Sequence, residues 1–443
     1  MPVVNLSKFK NKHFLSLMGN GVISLFGLLQ FALLYKVFSK EDVGVWLFFM
    51  TTQGVLDSIR NGFLGTATVK FYAGAEAKRA ADVLGSIWYL AIAITGLMLV
   101  ANAMALPLLP YITNTSVVVS VQWIGLTMLS SLPFLVIFGR LQADEKYGTI
   151  LWMRMINSGS TIIAFLVLMF LGKFTLQTAL LWNFITNCMT SLIGIAAKLG
   201  GLKTIAHRSK ATITEIYHFG KYSMATSLTS NLLGASNTYI VTFMLGPGAV
   251  AILSVPSKLM ELVEIPLRSF VGTGMSSMAT AFNQKNMSHV TYIMNKYAGM
   301  LTWVFIPLAI GVFFLADIPV NILSSGKYKG TEAANLYRIV MAIAILYPID
   351  RFNGIALDII HQPRLNFIKV QIMLLVKVVT TFVCIAMLHS VYGAPLGGLL
   401  TMVAGLGFGY FSLKKFMDFS IADILRTGYT ELGLLGKKIL GRG

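Results

Sequence analysis

Cysteine, histidine and acidic side chains are the scarce residues of this chain. Its 2 cysteines, Cys188 and Cys384, both fall inside apolar runs, which excludes a disulfide framework and a thiolate metal site. Its 6 histidines are scattered, and His207, His218, His361 and His389 lie near the ends of apolar runs at no metal-ligand spacing. No phosphate-cradling P-loop, no H-E-x-x-H and no G-x-S-x-G occurs, so those three chemistries have no foothold. Asp and Glu number 17 against 35 Lys and Arg, a net charge of +18. Such an excess can signal a nucleic-acid partner. Here the basic residues sit mostly in short stretches between apolar runs, which removes that reading.

What is abundant is apolar side chain: 56% of residues are hydrophobic, 12% are charged, and the mean hydropathy is +0.74. These values define an integral membrane protein, and long apolar runs joined by short loops make it all-α. The runs predict about twelve spans. The first, Phe14–Phe38, follows Lys8, Lys10 and Lys12, exceeds a signal-peptide core and has no small-x-small cleavage site, so it reads as a permanent span. Basic residues crowd alternate loops, among them Lys70, Lys78, Arg79, Arg140 and Lys146, the 199–218 stretch and Lys369. The opposite loops hold only Lys36, Lys40, Lys173, Lys327 and Lys329. Both termini are therefore expected in the cytoplasm.

The most informative stretch is Ala251–Gly274, AILSVPSKLMELVEIPLRSFVGTG. It is long and apolar enough to span a bilayer, yet it carries Lys258, Glu261, Glu264 and Arg268. At about 100° per residue these four share an arc of roughly 120° on one helix face. Each costs about 2.5–3.5 kcal/mol against lipid at mid-membrane, so the face must meet water, other helices or its own counter-charges. Pro256 and Pro266 are expected to break the backbone ladder on either side.

A weak internal repeat supports two halves. At a constant offset Phe38–Trp46 lies over Leu245–Leu253, Asp57 falls on Glu264, Gly65 on Gly272 and Thr66 on Thr273. The long basic stretch 199–218 falls where the halves would join. The expected organisation is an N-terminal six-helix half, 1–198; a basic cytoplasmic linker, 199–218; a C-terminal six-helix half, 219–417; and an amphipathic cytoplasmic tail, 418–443, suited to an anionic lipid surface. Asp57 and Arg60 stand at i, i+3 in the second span and are expected to pair. Asp350 and Arg351 follow Pro348 in a span that reads as a broken helix, and Lys377 is mid-span in the next. Arg154 and Lys296, near span ends, read as side chains snorkelling to the interface, and Gly405–Gly409 as a close-packing face. Asn114-Thr-Ser matches the glycosylation sequon.

The Phe38-Ser-Lys-Glu-Asp-Val-Gly turn, the charged second and eighth spans and the two repeats resemble the polysaccharide-exporter branch of the multidrug/oligosaccharidyl-lipid/polysaccharide (MOP) superfamily. The resemblance implies a V-shaped bundle of the multidrug-extrusion type in the cytoplasmic membrane. It also implies a non-enzymatic flippase that carries an undecaprenyl-pyrophosphate-linked oligosaccharide to the outer leaflet by alternating access. A diphosphate cannot cross hydrocarbon bare, so cations must line its path. Arg60, Lys258, Arg268, Arg351 and Lys377 are the substrate-binding candidates. Asp57, Glu261, Glu264 and Asp350 are the candidates for coupling to H⁺ or Na⁺. No other cofactor is implied. Membrane lipid, the lipid-linked oligosaccharide and polysaccharide-assembly proteins are the implied partners. Two rivals stand beside this reading. A multidrug antiporter for organic cations would want an aromatic, net-acidic cavity. A glycan polymerase or ligase would want a large outer loop, whereas the stretch at about 318–331 holds no catalytic set.

Overall fold

Helix-capping chemistry sets many of the element boundaries in the computed structural model, which describes residues 12–439. Lys8, Lys10 and Arg442 lie outside the described residues. Contacts divide the chain into two units, between Thr238 and Tyr239. The first contains α1 (Lys12–Val37), α2 (Lys40–Tyr72), α3 (Ala77–Ala105), α4 (Thr115–Ala143), α5 (Tyr147–Phe170), α6 (Leu176–Ala196) and most of α7 (Lys210–Leu245). Ser39 of the predicted turn caps α2 by accepting from Asp42 N at 3.0 Å, with Glu41 and Asp42 complementing the helix dipole. Asn114 is the N-cap of α4, its Oδ1 accepting from Ser116 N at 3.0 Å, so the sequon asparagine has a structural role. A Thr175–Thr178 capping box opens α6.

In this unit α2 packs on α3 and α4, α4 on α6, and α1 on α5. Trp88 of α3 is buried and donates from Nε1 to Gly200 O at 2.8 Å. The stretch read as a linker is thereby partly folded: its 3₁₀ turn, Leu202–His207, lies against α3. Arg79 of α3 pairs with Glu215 of α7 and donates to Thr212 Oγ1 at 2.7 Å.

The second unit holds α8 (Pro247–Asn283), α9 (Met287–Leu315), α10 (Asp317–Ser324), α11 (Ala333–Ala344), α12 (Tyr347–Ile359), α13 (Pro363–Leu388), α14 (Gly393–Leu413) and α15 (Ile421–Ile439). The break expected near Pro348 is present: α11 and α12 meet at a 43° bend. The breaks expected at Pro256 and Pro266 are not. α8 runs unbroken for 37 residues, because each proline removes only one hydrogen bond from a ladder long enough to carry the loss.

The tail, α15, packs antiparallel on α9. Leu425 O accepts from Trp303 Nε1 at 2.9 Å, and Glu431 takes Lys296 and the Tyr292 hydroxyl. Between these contacts Gly299 and Gly428 cross. A Cβ on Gly299 would stand 2.0 Å from Ile424 O, so only glycine lets the two backbones approach. Lys296 thus holds the C-terminal helix, where sequence suggested snorkelling.

Among the described residues seven helices are long and apolar enough to cross a membrane, and the bent α11–α12 pair makes an eighth. α2, α7 and α8 have the length, at 33, 36 and 37 residues, but fall outside that group. α2 and α8 carry six of the nine candidate charges: Asp57, Arg60, Lys258, Glu261, Glu264 and Arg268.

Candidate functional site

In the first unit the predicted Asp57–Arg60 pair forms, and it is part of a larger arrangement. Arg60 is 0% exposed and bonds to three helices. Its guanidinium pairs with Asp57 on α2. It also donates to Met128 O at 2.8 Å and Ser131 Oγ at 2.8 Å on α4, and to Thr95 Oγ1 at 3.4 Å on α3. Asp57 is only partly covered. A cavity of about 580 Å³ opens beside it between α2, α4 and α5. Asn61 and Thr66 of α2, Gln142 of α4 and Arg154 of α5 line it, with Phe134 and Phe138 as its aromatic wall.

In the second unit the α8 charges do share one face and satisfy one another along it. Lys258 Nζ lies 2.6 Å from Glu261 Oε1, and Arg268 donates to Glu264 Oε2 at 3.1 Å. Arg268 is 61% exposed. α8 packs against α12 of the broken span.

Asp350 does not rely on its neighbour Arg351, which is exposed. Its partner is Lys369 of α13, 3% exposed, whose Nζ lies 2.6 Å from Asp350 Oδ1. That contact is an ion pair without hydrogen-bond alignment; the aligned bond runs from Lys369 Nζ to Asp350 O at 2.9 Å. Lys369 reads as a loop residue from its position near a basic border. The structure instead starts α13 at Pro363, two turns earlier, and turns Lys369 inward. Proline at the first turn after Gln362 is the sequence signal for that start. The Gly405–Gly409 face of α14 gives the pair its room. A Cβ on Gly405 would sit 2.7 Å from Met373 Sδ and 3.1 Å from Asp350 Oδ1. Lys377 lies two turns further along α13, half-buried. No group of three or more potential metal ligands occurs among the described residues.

The described residues thus form an all-α fold with ion pairs set into its helices. Three solved structures share this fold. A multidrug resistance MATE family transporter in an inward-facing conformation aligns with a TM-score of 0.73 at 14% identity, over 89% of this chain and 96% of that one. The lipid II flippase MurJ in an inward closed conformation aligns at 0.73 and 17%, over 96% and 92%. A MOP superfamily transporter from Pyrococcus furiosus, described with a binding pocket of reverse polarity that suggests a different function, aligns at 0.61 and 15%, over 90% and 94%. Comparison with curated proteins by sequence gives no match. Residues 9–273 match the family described as "Polysaccharide biosynthesis protein", and the chain belongs to that family.

Proposed function

We propose that this multi-pass protein moves an undecaprenyl-pyrophosphate-linked oligosaccharide from the cytoplasmic to the outer leaflet of the cytoplasmic membrane by ion-coupled alternating access, without catalysing a bond change. The observation that carries the reading is the cavity within the first unit, where Asn61, Thr66, Gln142 and Arg154 stand on a wall that also holds Phe134, Leu135 and Phe138. Amides, hydroxyls and a guanidinium suit sugar hydroxyls and phosphate oxygens.

The roles divide by geometry. Arg60 serves the fold, since its guanidinium is committed to α2, α3 and α4. Lys258, Arg268, Arg351 and Lys377 supply cations along the second unit. The carboxylates of Asp57, Glu261, Glu264 and Asp350 are the groups able to take up H⁺ or Na⁺. Those paired with a half-exposed cation can exchange partners at the smallest cost.

The test is translocation in proteoliposomes, with a fluorescent lipid-diphosphate oligosaccharide scored by its exposure to an added glycosidase. The expected result is protein-dependent movement that Lys258→Ala with Lys377→Ala cuts severely while insertion stays normal. Export of an organic cation without movement of the lipid-linked sugar would instead place the protein with the multidrug antiporters.

A further inference from the structure

We infer that Arg154, with Phe138 beneath it and Asn61, Thr66 and Gln142 around it, is the subsite for the lipid-linked phosphate and the sugar attached to it. This rests on the flippase reading and assigns the ligand's orientation within the cavity.

One guanidinium of the cavity is unused by the protein. Arg154 is half-buried on α5, its Cζ 4.6 Å from the centre of the Phe138 ring. Stacking uses the face of the guanidinium and leaves its five in-plane N–H donors directed outward. Among the described residues those donors meet no carboxylate, carbonyl or hydroxyl. Asn61, Thr66 and Gln142, exposed on the same walls, likewise make no side-chain hydrogen bond among the described residues. The other arginine of the cavity differs, since Arg60 gives its donors to protein oxygens. One cavity thus contains a cation whose two terminal nitrogens are taken up by protein oxygens and an open one.

The two ends also differ in charge, the Ser131 end holding the Asp57–Arg60 pair and the Phe138 end an unpaired guanidinium. Ser131, which binds Arg60, and Phe138, which carries Arg154, are seven residues apart on α4, about 10 Å along its axis. The Ser131 end bears the partly exposed Asp57 carboxylate, its charge balanced by Arg60, which accepts hydrogen bonds from sugar hydroxyls and adds no cation for phosphate. The Phe138 end bears the open guanidinium, suited to forked contact with phosphate oxygens. A ligand with an anion at one end and hydroxyls at the other therefore lies with its phosphate at Arg154 and its sugar toward Asp57. Phe134, between the ends, offers a ring face to the sugar. The volume of about 580 Å³ falls within the ~300–1,000 Å³ of small-ligand sites.

Two lipids carry the required phosphate: an ordinary anionic phospholipid and a diphosphate carrier. The experiment separates them. The full chain is placed in nanodiscs of zwitterionic lipid, and calorimetry measures binding of farnesyl diphosphate and of farnesyl-diphospho-N-acetylglucosamine. The sugar-bearing probe should bind more tightly. Arg154→Gln should weaken both probes at least about tenfold, the loss of one charge-assisted contact, and Arg154→Lys should recover part of it. Asn61→Ala, one turn from Asp57, should weaken only the sugar-bearing probe, and Gln142→Ala, one turn beyond Phe138 at the phosphate end, should weaken both. Both lie at exposed positions, so they keep the test decisive if Arg154→Gln does not fold. Unchanged binding in all four variants would overturn the inference. So would displacement of both probes by phosphatidylglycerol added to the nanodisc, which would make this an ordinary headgroup site. If wild type moves the sugar-bearing probe in proteoliposomes while Arg154→Gln binds and moves it equally well, the subsite fails and the flippase reading stands. If wild type neither binds nor moves either probe, the flippase reading itself fails.

Discussion

α2 and α8 occupy equivalent places in the internal repeat, and each carries acidic and basic residues about one turn apart, yet the two helices use them in opposite ways. On α2, Arg60 is sealed from solvent and ties three helices together. On α8, Lys258–Glu261 and Glu264–Arg268 pair within the helix, on a face open enough to leave Arg268 61% exposed. An exposed pair such as Glu264–Arg268 exchanges easily for water or ligand. A cation bonded to backbone and hydroxyls of neighbouring helices cannot leave without loosening them. The same residue types therefore give an anchor in one half and a replaceable lining in the other. The second unit places its anchor elsewhere, at Asp350–Lys369 between α12 and α13.

The largest expected effect is on that contrast itself. Arg60→Met strands Asp57 and removes three further acceptors' donor, so it should destabilise the protein by about 3–5 kcal/mol. Denaturant unfolding in detergent micelles checks it, and a loss below 1 kcal/mol would make Arg60 as replaceable as the α8 cations. Next comes Lys369→Met, expected to cost about 2–3 kcal/mol because fewer bonds depend on it. A neutral result there would leave the second unit with no polar anchor of this kind. A double-mutant cycle of Lys258→Gln and Glu261→Gln should give a coupling below about 1 kcal/mol in stability. A coupling as large as the Arg60 effect would erase the distinction between the helices.

The smallest effect concerns the tail. Hydrogen bonds from Lys296, then from the Tyr292 hydroxyl, hold the Glu431 carboxyl below its ordinary value of 4.5. A carboxylate with a depressed pKa adds stability above its unfolded value and loses it as pH falls through the folded one. Docking of α15 should therefore be unchanged from pH 8 to 6 and loosen only below about pH 4.5, seen as faster amide exchange in α15. Glu431→Gln should remove that pH dependence while leaving the Gly299–Gly428 crossing.

Much of the charged inventory was legible in the chain. Asp57 with Arg60 and Lys258 with Glu261 stand at helical spacing, and each pair forms, because i, i+3 neighbours meet on any straight helix whatever surrounds it. The bend before Tyr347 was legible for a similar reason, since Pro348 acts on its own helix. The prolines of α8 were read by the same rule and mislead, because one lost bond does not break a helix whose neighbouring turns persist.

Composition, period and turn chemistry acted over a few residues at a time, and they determined an all-α membrane protein, its local ion pairs and the helix that carries most of its polar arc. Which cation is sealed and which is open depended on residues far apart in the chain. Arg60 is closed by Met128 and Ser131, Lys369 by Asp350 and the glycines of α14, and Lys296 by Glu431 of the tail. Arg154 lies over the Phe138 ring of α4 and takes no protein oxygen among the described residues. Tertiary structure decided these outcomes, since desolvation is set by everything that packs around a charge, whereas spacing along one helix sets only what can reach it.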